Sequence, residues 1–238
     1  MAIVSGIHPV SEALRARRPL DRVLIARGLG GARVQEIVEA CRKSGIPVRF
    51  EPRDALDRLA AGSVHQGVVA VGSAHGYVDL DAIAETARML VVLDGVEDPH
   101  NLGAVIRTAN AAGADAVAIP ERRAAGLTDT VAKSSAGAIE YTPVVRIGNV
   151  AQTLEKLKQR GFWIFGLDER GKQRYDRVDW AERCVLVLGA EGKGLHDLVR
   201  KRCDVLVSIP MAGQVASLNV SVAAGVVLFE WRRSKPVA

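Results

Sequence analysis

The sequence has only three cysteines, Cys41, Cys184 and Cys203, and they stand far apart. An odd count at wide spacing gives no disulfide framework and no metal-ligand pair. Reduced thiols and no metal site are therefore expected, as in a cytoplasmic protein. The five histidines do not cluster. No apolar run reaches the length of a bilayer span, and the first residues lack the basic-then-apolar pattern of a secretory signal, so no membrane association is expected. Common cofactor signatures are missing too. No G-x-G-x-x-G follows the first strand of the larger domain, which argues against a Rossmann dinucleotide site and an ordinary Rossmann methyltransferase. There is no G-x-x-x-x-G-K-[ST] phosphate loop and no G-x-S-x-G nucleophile elbow. Internal repeats and low-complexity tracts are absent as well.

What is present describes a folding chain. Its 238 residues are 48% hydrophobic and 25% charged, enough for one large or two small domains with a buried core. The formal charge is +5, and it is unevenly placed. Residues 1–72 carry eleven basic and seven acidic side chains, an excess of four, which leaves an excess of one for the rest. A basic front suits a nucleic-acid partner.

Hydrophobic periodicity divides the chain into a small α/β module over 1–72, a linker over 73–85 and a larger α/β domain over 86–238. In the module, helices are predicted from Pro9 or Ser11 to about Arg17, over Ala32–Ser44 and over Pro52–Ala61. They alternate with strands over Val23–Ala26, Pro47–Phe50 and Val68–Val71. In the larger domain a short helix is predicted over Asp81–Ala87. The continuously apolar run Met89–Leu93 predicts a strand covered on both faces. Further strands are predicted at Val117–Pro120, Ile139–Val144, Trp163–Gly166, Val185–Leu188 and Val205–Ile209, and a helix at Ala151–Arg160. The expected architecture is a largely parallel sheet. Ala223, Ala224 and Gly225 allow the last helix, Asn219–Arg232, to pack closely.

Two strand ends discharge into glycine-bearing loops, Leu188–Gly194 and Ile209–Leu218, which is where α/β proteins place ligand sites. Glu191, between Gly189 and Gly192, can hold an arginine fork or a ligand amine; equally, it can cap a short helix over Gly194–Val199. Lys193 and His196 read as surface residues. Ser217 and Asn219 follow the second loop, with Ser217 also placed to cap the final helix. After the first strand of the larger domain, Asn101 can cap a helix starting near Leu102. Gly103 and Arg107 share a face of that helix, with Asn110 nearby. A bare glycine one turn before an arginine leaves room for a phosphate, or simply eases the first turn beside a solvated arginine. Lys133, Ser134 and Ser135 form a further polar turn, a candidate RNA contact.

Three blocks together resemble the SpoU, or TrmH-like, branch of the SPOUT RNA 2'-O-methyltransferases. They are Asn101-Leu-Gly-Ala-Val-Ile-Arg-Thr-Ala, Leu188-Gly-Ala-Glu-Gly-Lys-Gly-Leu, and Ile209-Pro-Met-Ala-Gly-Gln-Val-Ala-Ser-Leu-Asn-Val-Ser-Val-Ala. The front, with Gly6-Ile-His-Pro-Val and His65-Gln-Gly-Val-Val-Ala, is similar to the L30e-like RNA substrate-binding domain of the RlmB subgroup. The resemblance implies a C-terminal trefoil knot, S-adenosyl-L-methionine as cofactor, and a homodimer formed through the SPOUT domain. The substrate it implies is a guanosine ribose in the peptidyl-tRNA-binding loop of 23S rRNA; alternatives are the same chemistry on tRNA or another rRNA site, including a thiostrepton-resistance-type site. It places cofactor binding at Leu188, Gly189, Ala190, Glu191, Gly192, Ile209, Met211, Ser217 and Leu218. It places catalysis at Arg107, with Asn101 positioning the ribose or Arg107, Glu191 orienting Arg107, and Ser217 and Asn219 completing the pocket. No metal is implied.

Overall fold

A computed structural model describes residues 3–15, 17–72 and 76–235. The chain divides into two compact units, Met1–Gly76 with Gly126–Asp129, and Tyr77–Ala125 with Thr130–Ala238.

The first unit contains β1 (Ile3–Ser5), α1 (Ile7–Arg15), β2 (Leu20–Ala26), α2 (Ala32–Lys43), β3 (Val48–Glu51), α3 (Arg53–Ala60) and β4 (Val68–Gly72). Its sheet runs β1-β4-β2-β3. β4 is antiparallel to β1 and β2, and β2 is parallel to β3. Side chains alternate across β2, as a strand requires. Val23 and Ile25 pack with Val10 of α1 and with Val34, Ile37 and Cys41 of α2. Leu24 and Ala26 pack with Leu56 and Ala60 of α3. α1 starts before the predicted Pro9, because the Gly6 carbonyl accepts the Val10 N–H and a proline in the first turn owes the helix no donor.

The second unit contains α4 (Leu80–Thr86), β5 (Met89–Asp94), α5 (Pro99–Ala112), β6 (Ala116–Pro120), all but the first residue of α6 (Asp129–Ser134), β7 (Val144–Ile147) and α7 (Val150–Gln159). Then come β8 (Trp163–Leu167), β9 (Gln173–Arg174), β10 (Cys184–Gly189), α8 (Asp197–Arg202), β11 (Val205–Ser208) and α9 (Val220–Arg233). The sheet order is β7-β6-β5-β10-β8-β11-β9. Every pairing in it is parallel. β10 enters between β5 and β8, two strands made earlier. All six residues of β5 are buried, as expected for a central strand covered by helices.

Several predicted boundaries are corrected. Ile139 lies in a short 3₁₀ turn, Ala138–Glu140, and the strand begins only after Pro143, at Val144. The helix placed at Gly194–Val199 is Asp197–Arg202, because Gly194, with φ 64°, still belongs to the turn. Asn101 is not a cap: Asp98 caps α5 through the His100 N–H at 2.9 Å, and Pro99 fills the first helical position. Ser217 is not a cap either. Asn219 caps α9, accepting from the Ser221 N–H. The small residues of α9 serve packing inside the chain, since Ala224 is fully buried and a Cβ at Gly225 would lie 3.7 Å from Thr108 of α5.

Candidate active site

Three loops at the carboxyl edge of the sheet enclose a pocket of about 310 Å³. They follow β8, β10 and β11. All nine residues expected at a cofactor site line it: Leu188, Gly189, Ala190, Glu191 and Gly192 from the second loop, and Ile209, Met211, Ser217 and Leu218 from the third. The second loop is wound tightly, with Gly192 and Gly194 at φ 74° and 64°. The Gly194 N–H donates to the Ala190 carbonyl at 2.9 Å. A Cβ at Gly189 would run into the backbone of Gly194 and Leu195, so this close return of the chain requires glycine. Apolar floor residues and exposed loop backbone make the pocket suited to a ligand with a flat apolar part and polar edges.

Beside the pocket lies a polar network that joins α5, the second loop and α9. The Asn219 side-chain amide donates to Asn101 Oδ1 at 2.9 Å and also to Glu191 Oε1. The same Glu191 oxygen accepts from Asn101 Nδ2 at 3.2 Å and from the Val220 N–H at 3.4 Å. Asn219 Oδ1 accepts from both the N–H and the hydroxyl of Ser221. Glu191 therefore does not cap the short helix after it. Its Oε1 meets two asparagine amides and the Val220 N–H at the start of α9. Within one chain its partners are these groups and not Arg107.

Arg107 is exposed on α5 and does not line the pocket of its own chain. Gly103 offers no space for a phosphate. It is buried under α6, and a Cβ there would overlap the Ser134 side chain and lie 2.8 Å from the Val131 carbonyl oxygen. Ser134 donates to the Thr130 carbonyl at 2.8 Å, and Ser135 is fully buried and donates to the Ala132 carbonyl. Both are structural, which leaves Lys133 as the exposed member of that turn. Asn110 donates to the Thr142 hydroxyl at 3.0 Å.

Two acidic residues that motif spacing does not single out support the site, Asp94 by anchoring the start of α8 and Asp168 from the pocket wall. Asp94, buried at the end of β5, accepts from the His196 N–H at 2.8 Å and faces its Nδ1 at 2.9 Å. A carboxylate only accepts, so His196 Nδ1 carries the hydrogen; His196 is exposed, as expected of a surface residue, and is anchored there by Asp94. Asp168, after β8, lines the pocket with Glu169, Arg170 and Arg200. Both aspartates carry a signal: each directly follows an apolar strand run, Val91-Val-Leu-Asp and Ile164-Phe-Gly-Leu-Asp. Arg200 has none inside the basic run Arg200-Lys-Arg.

The three thiols are free. Burial pushes Cys41 up to about 11 and Cys184 and Cys203 up to about 12, so none is an activated nucleophile. Among the described residues no group of three His, Cys, Asp or Glu could hold a metal ion, and no helix is long and apolar enough to cross a membrane.

A parallel sheet of this order, with its pocket built from three loops at one edge and a small α/β unit preceding it in the chain, is the architecture of the SPOUT methyltransferases. The chain belongs to the SpoU rRNA methylase family, whose sequence profile matches residues 88–229. A second profile, RNA 2'-O ribose methyltransferase substrate binding, matches residues 3–78. YacO of Bacillus subtilis (strain 168), assigned to the TrmH family of tRNA/rRNA methyltransferases, is 44% identical over 98% of this chain and 96% of its own length. Among solved structures, the SpoU methyltransferase AviRb from Streptomyces viridochromogenes, in complex with AdoMet, is 28% identical, with a TM-score of 0.63 over 97% of this chain and 89% of that one. The TrmH/SpoU tRNA modifying enzyme of A. aeolicus is also 28% identical, with a TM-score of 0.57 over 65% of this chain and 81% of its own.

Proposed function

We propose that the enzyme transfers a methyl group from S-adenosyl-L-methionine to a ribose 2'-hydroxyl of rRNA or tRNA. The observation that carries this reading is the pocket itself, where loops from three neighbouring parallel strands converge beside the Asn101–Glu191–Asn219 network. The residues present fit the cofactor. Leu188, Ile209 and Leu218 offer apolar surface to a purine, and the tight Gly189–Gly194 turn exposes backbone groups for polar edges. When bound, S-adenosyl-L-methionine supplies an electrophilic methyl group on a sulfonium, so no metal is needed to activate the leaving group.

The chain's own work is to orient the hydroxyl and to stabilise the charge that develops on it. Arg107 serves the stabilising role, because a permanent cation with a planar fork can grip the neighbouring phosphate and the forming alkoxide. Asn101 is held by Glu191 and Asn219, which fixes the face of α5 that meets the ribose. Arg107 is exposed and absent from its own chain's pocket, which supports a site completed across a twofold contact in a homodimer. The basic excess of residues 1–72 and the substrate-binding profile support that unit as the RNA reader. A guanosine in the peptidyl-tRNA-binding loop of 23S rRNA is one candidate target, alongside tRNA and other rRNA sites.

The test is a comparison of rRNA and tRNA transcripts as methyl acceptors, with 2'-O-methyl mapping of RNA from cells with and without the gene. One ribose position lost with the gene, and restored by the purified enzyme, is the expected result. Unchanged methylation maps in both RNA classes would overturn it.

A further inference from the structure

The loop after β8 is held by its backbone and by the Asp168 side chain. The Asp168 N–H donates to the Val207 carbonyl at 3.0 Å, and the Gly171 N–H donates to the Asp168 carbonyl at 2.9 Å. Gly171 presses on β11 so closely that a Cβ would sit 2.6 Å from the Val207 carbonyl carbon. Asp168 Oδ1 accepts from the Arg170 N–H at 2.9 Å, the side-chain turn that aspartate forms readily. The other carboxylate oxygen turns away from the loop. It lies 3.4 Å from Arg200 Nε, on α8.

The two side chains are only 7% (Asp168) and 18% (Arg200) exposed, and both line the pocket. α8 follows the Gly189–Leu195 loop directly, and its own entry is fixed by the two His196 contacts to Asp94. The Asp168–Arg200 pair therefore joins the first pocket loop to the helix that carries the second. Such a pair in a pocket wall is seldom the most stable filling, because apolar side chains of equal volume usually do as well. What it provides is a charge contact between the loop and the helix, since the fork nitrogen Nη2 of Arg200 is already engaged by Asp197 one turn earlier on α8 and only the Nε edge faces Asp168. Arg200 Nε, buried and without a hydrogen bond, shows that the contact is charge-paired but not closed.

We propose that Asp168 and Arg200 are positioning residues for the cofactor, a charged strap that sets the distance between two walls of the pocket. This rests on the S-adenosyl-L-methionine reading above. The strap acts on cofactor affinity and leaves the methyl-transfer step itself alone.

Asp168→Asn separates the two functions of the side chain, because an amide oxygen still accepts from the Arg170 N–H while the charge facing Arg200 is gone. The experiment measures S-adenosyl-L-methionine binding by calorimetry, KM for the cofactor and kcat on RNA, and the melting temperature. It compares wild type, Asp168→Asn, Arg200→Met, the double variant and Arg200→Lys. The expected result is a cofactor Kd and KM raised about tenfold in each of the first two single variants, the scale of losing one partly buried charged contact, with kcat at saturating cofactor within about twofold. The double variant should be no worse than either single one, as for a shared interaction. Arg200→Lys, which keeps the charge, should recover part of the affinity. Unchanged Kd with only a lowered melting temperature, a loss of kcat at unchanged Kd, or additive losses would each overturn the strap. A wild-type protein that binds no S-adenosyl-L-methionine would overturn the functional reading and the strap with it. A wild type that binds beside variants that bind equally well overturns the strap alone.

Discussion

Asn101 and Asn219 are 118 positions apart and share a hydrogen bond of 2.9 Å, Asn219 donating to Asn101. The bond spans the first turn of α5 and the cap of α9, and Glu191 closes it from the pocket side. The Asn219 side chain thus acts at both its ends. Its oxygen caps α9, and its amide holds Asn101 and Glu191. Asn219→Asp keeps the cap and loses the amide, and it sets a second carboxylate against Glu191. Its melting temperature should fall through that repulsion, and that of Asn219→Ala through the loss of a cap of about 1 kcal/mol. Both variants should lose methyl transfer by roughly a hundredfold, the scale of a misplacement of about 1 Å at a reacting site. An Asn219→Asp enzyme with the wild-type rate would remove the network from the account.

Gly103 makes the reverse point, since its sequence position suggests a ligand seat and its place in the fold is a packing contact. Gly103→Ala should destabilise the protein by about 1–3 kcal/mol through overpacking against α6, even though alanine favours a helix by nearly 1 kcal/mol. Adding Ser134→Ala should restore only part, because the Val131 carbonyl, at 2.8 Å from the new methyl, is backbone and cannot leave. Urea unfolding of the single and double variants checks this. A Gly103→Ala protein as stable as wild type would show that α6 yields.

Much of the fold is legible in the sequence because its parallel strands are buried on both faces and read as unbroken apolar runs. Met89–Leu93 and Val185–Leu188 fall inside strands observed over Met89–Asp94 and Cys184–Gly189. β1 escapes, having only three half-buried residues. The strand expected at Ile139 fails because an apolar residue before a proline fits a turn equally well, and Thr142, buried there, bonds Asn110. The pocket loops are legible from glycine spacing. The network is not, because Asp98 and Pro99 compete with Asn101 for the start of α5, and nothing in spacing brings Asn219 to Glu191. The Asp168–Arg200 pair depends on how β8 and α8 are brought together, which periodicity does not encode.

The buried thiols give a prediction about pH. Their values in the folded chain lie at about 11 and 12, above the ordinary 9.0. Well below pH 9 both folded and unfolded chains keep them protonated, so they contribute no pH dependence there. Above it the unfolded chain ionises first, and stability falls as pH rises through the interval up to 11 or 12. A variant with all three cysteines replaced by alanine should lose less of its stability between pH 9 and pH 11 than wild type does. The native protein should also resist iodoacetamide at pH 8.5 while the urea-unfolded chain reacts readily. Equal pH slopes in the two proteins would contradict the burial argument.

A site completed by a second copy can be checked by mixing. Arg107→Ala lacks the charge but keeps the pocket, and Ser217→Trp fills the pocket but keeps Arg107. Each alone should be nearly inactive. If Arg107 serves the neighbouring copy, random re-association of equal amounts gives mixed dimers with one complete site, and activity returns to about a quarter of wild type. If Arg107 serves its own pocket, the mixture stays inactive.

The proposed methyl transfer is to a ribose oxygen rather than to a base. A 2'-O-methyl group blocks alkaline cleavage of the next phosphodiester bond, so its label survives hydrolysis in a dinucleotide. RNA labelled by the enzyme with methyl-tritiated S-adenosyl-L-methionine should, after complete alkaline hydrolysis, carry its label in alkali-resistant dinucleotides. Arg107→Ala, with unchanged cofactor affinity, should form them at least about a hundredfold more slowly, as when one oxyanion-stabilising donor is lost. Label recovered in mononucleotides, or no label in either rRNA or tRNA, would contradict the account.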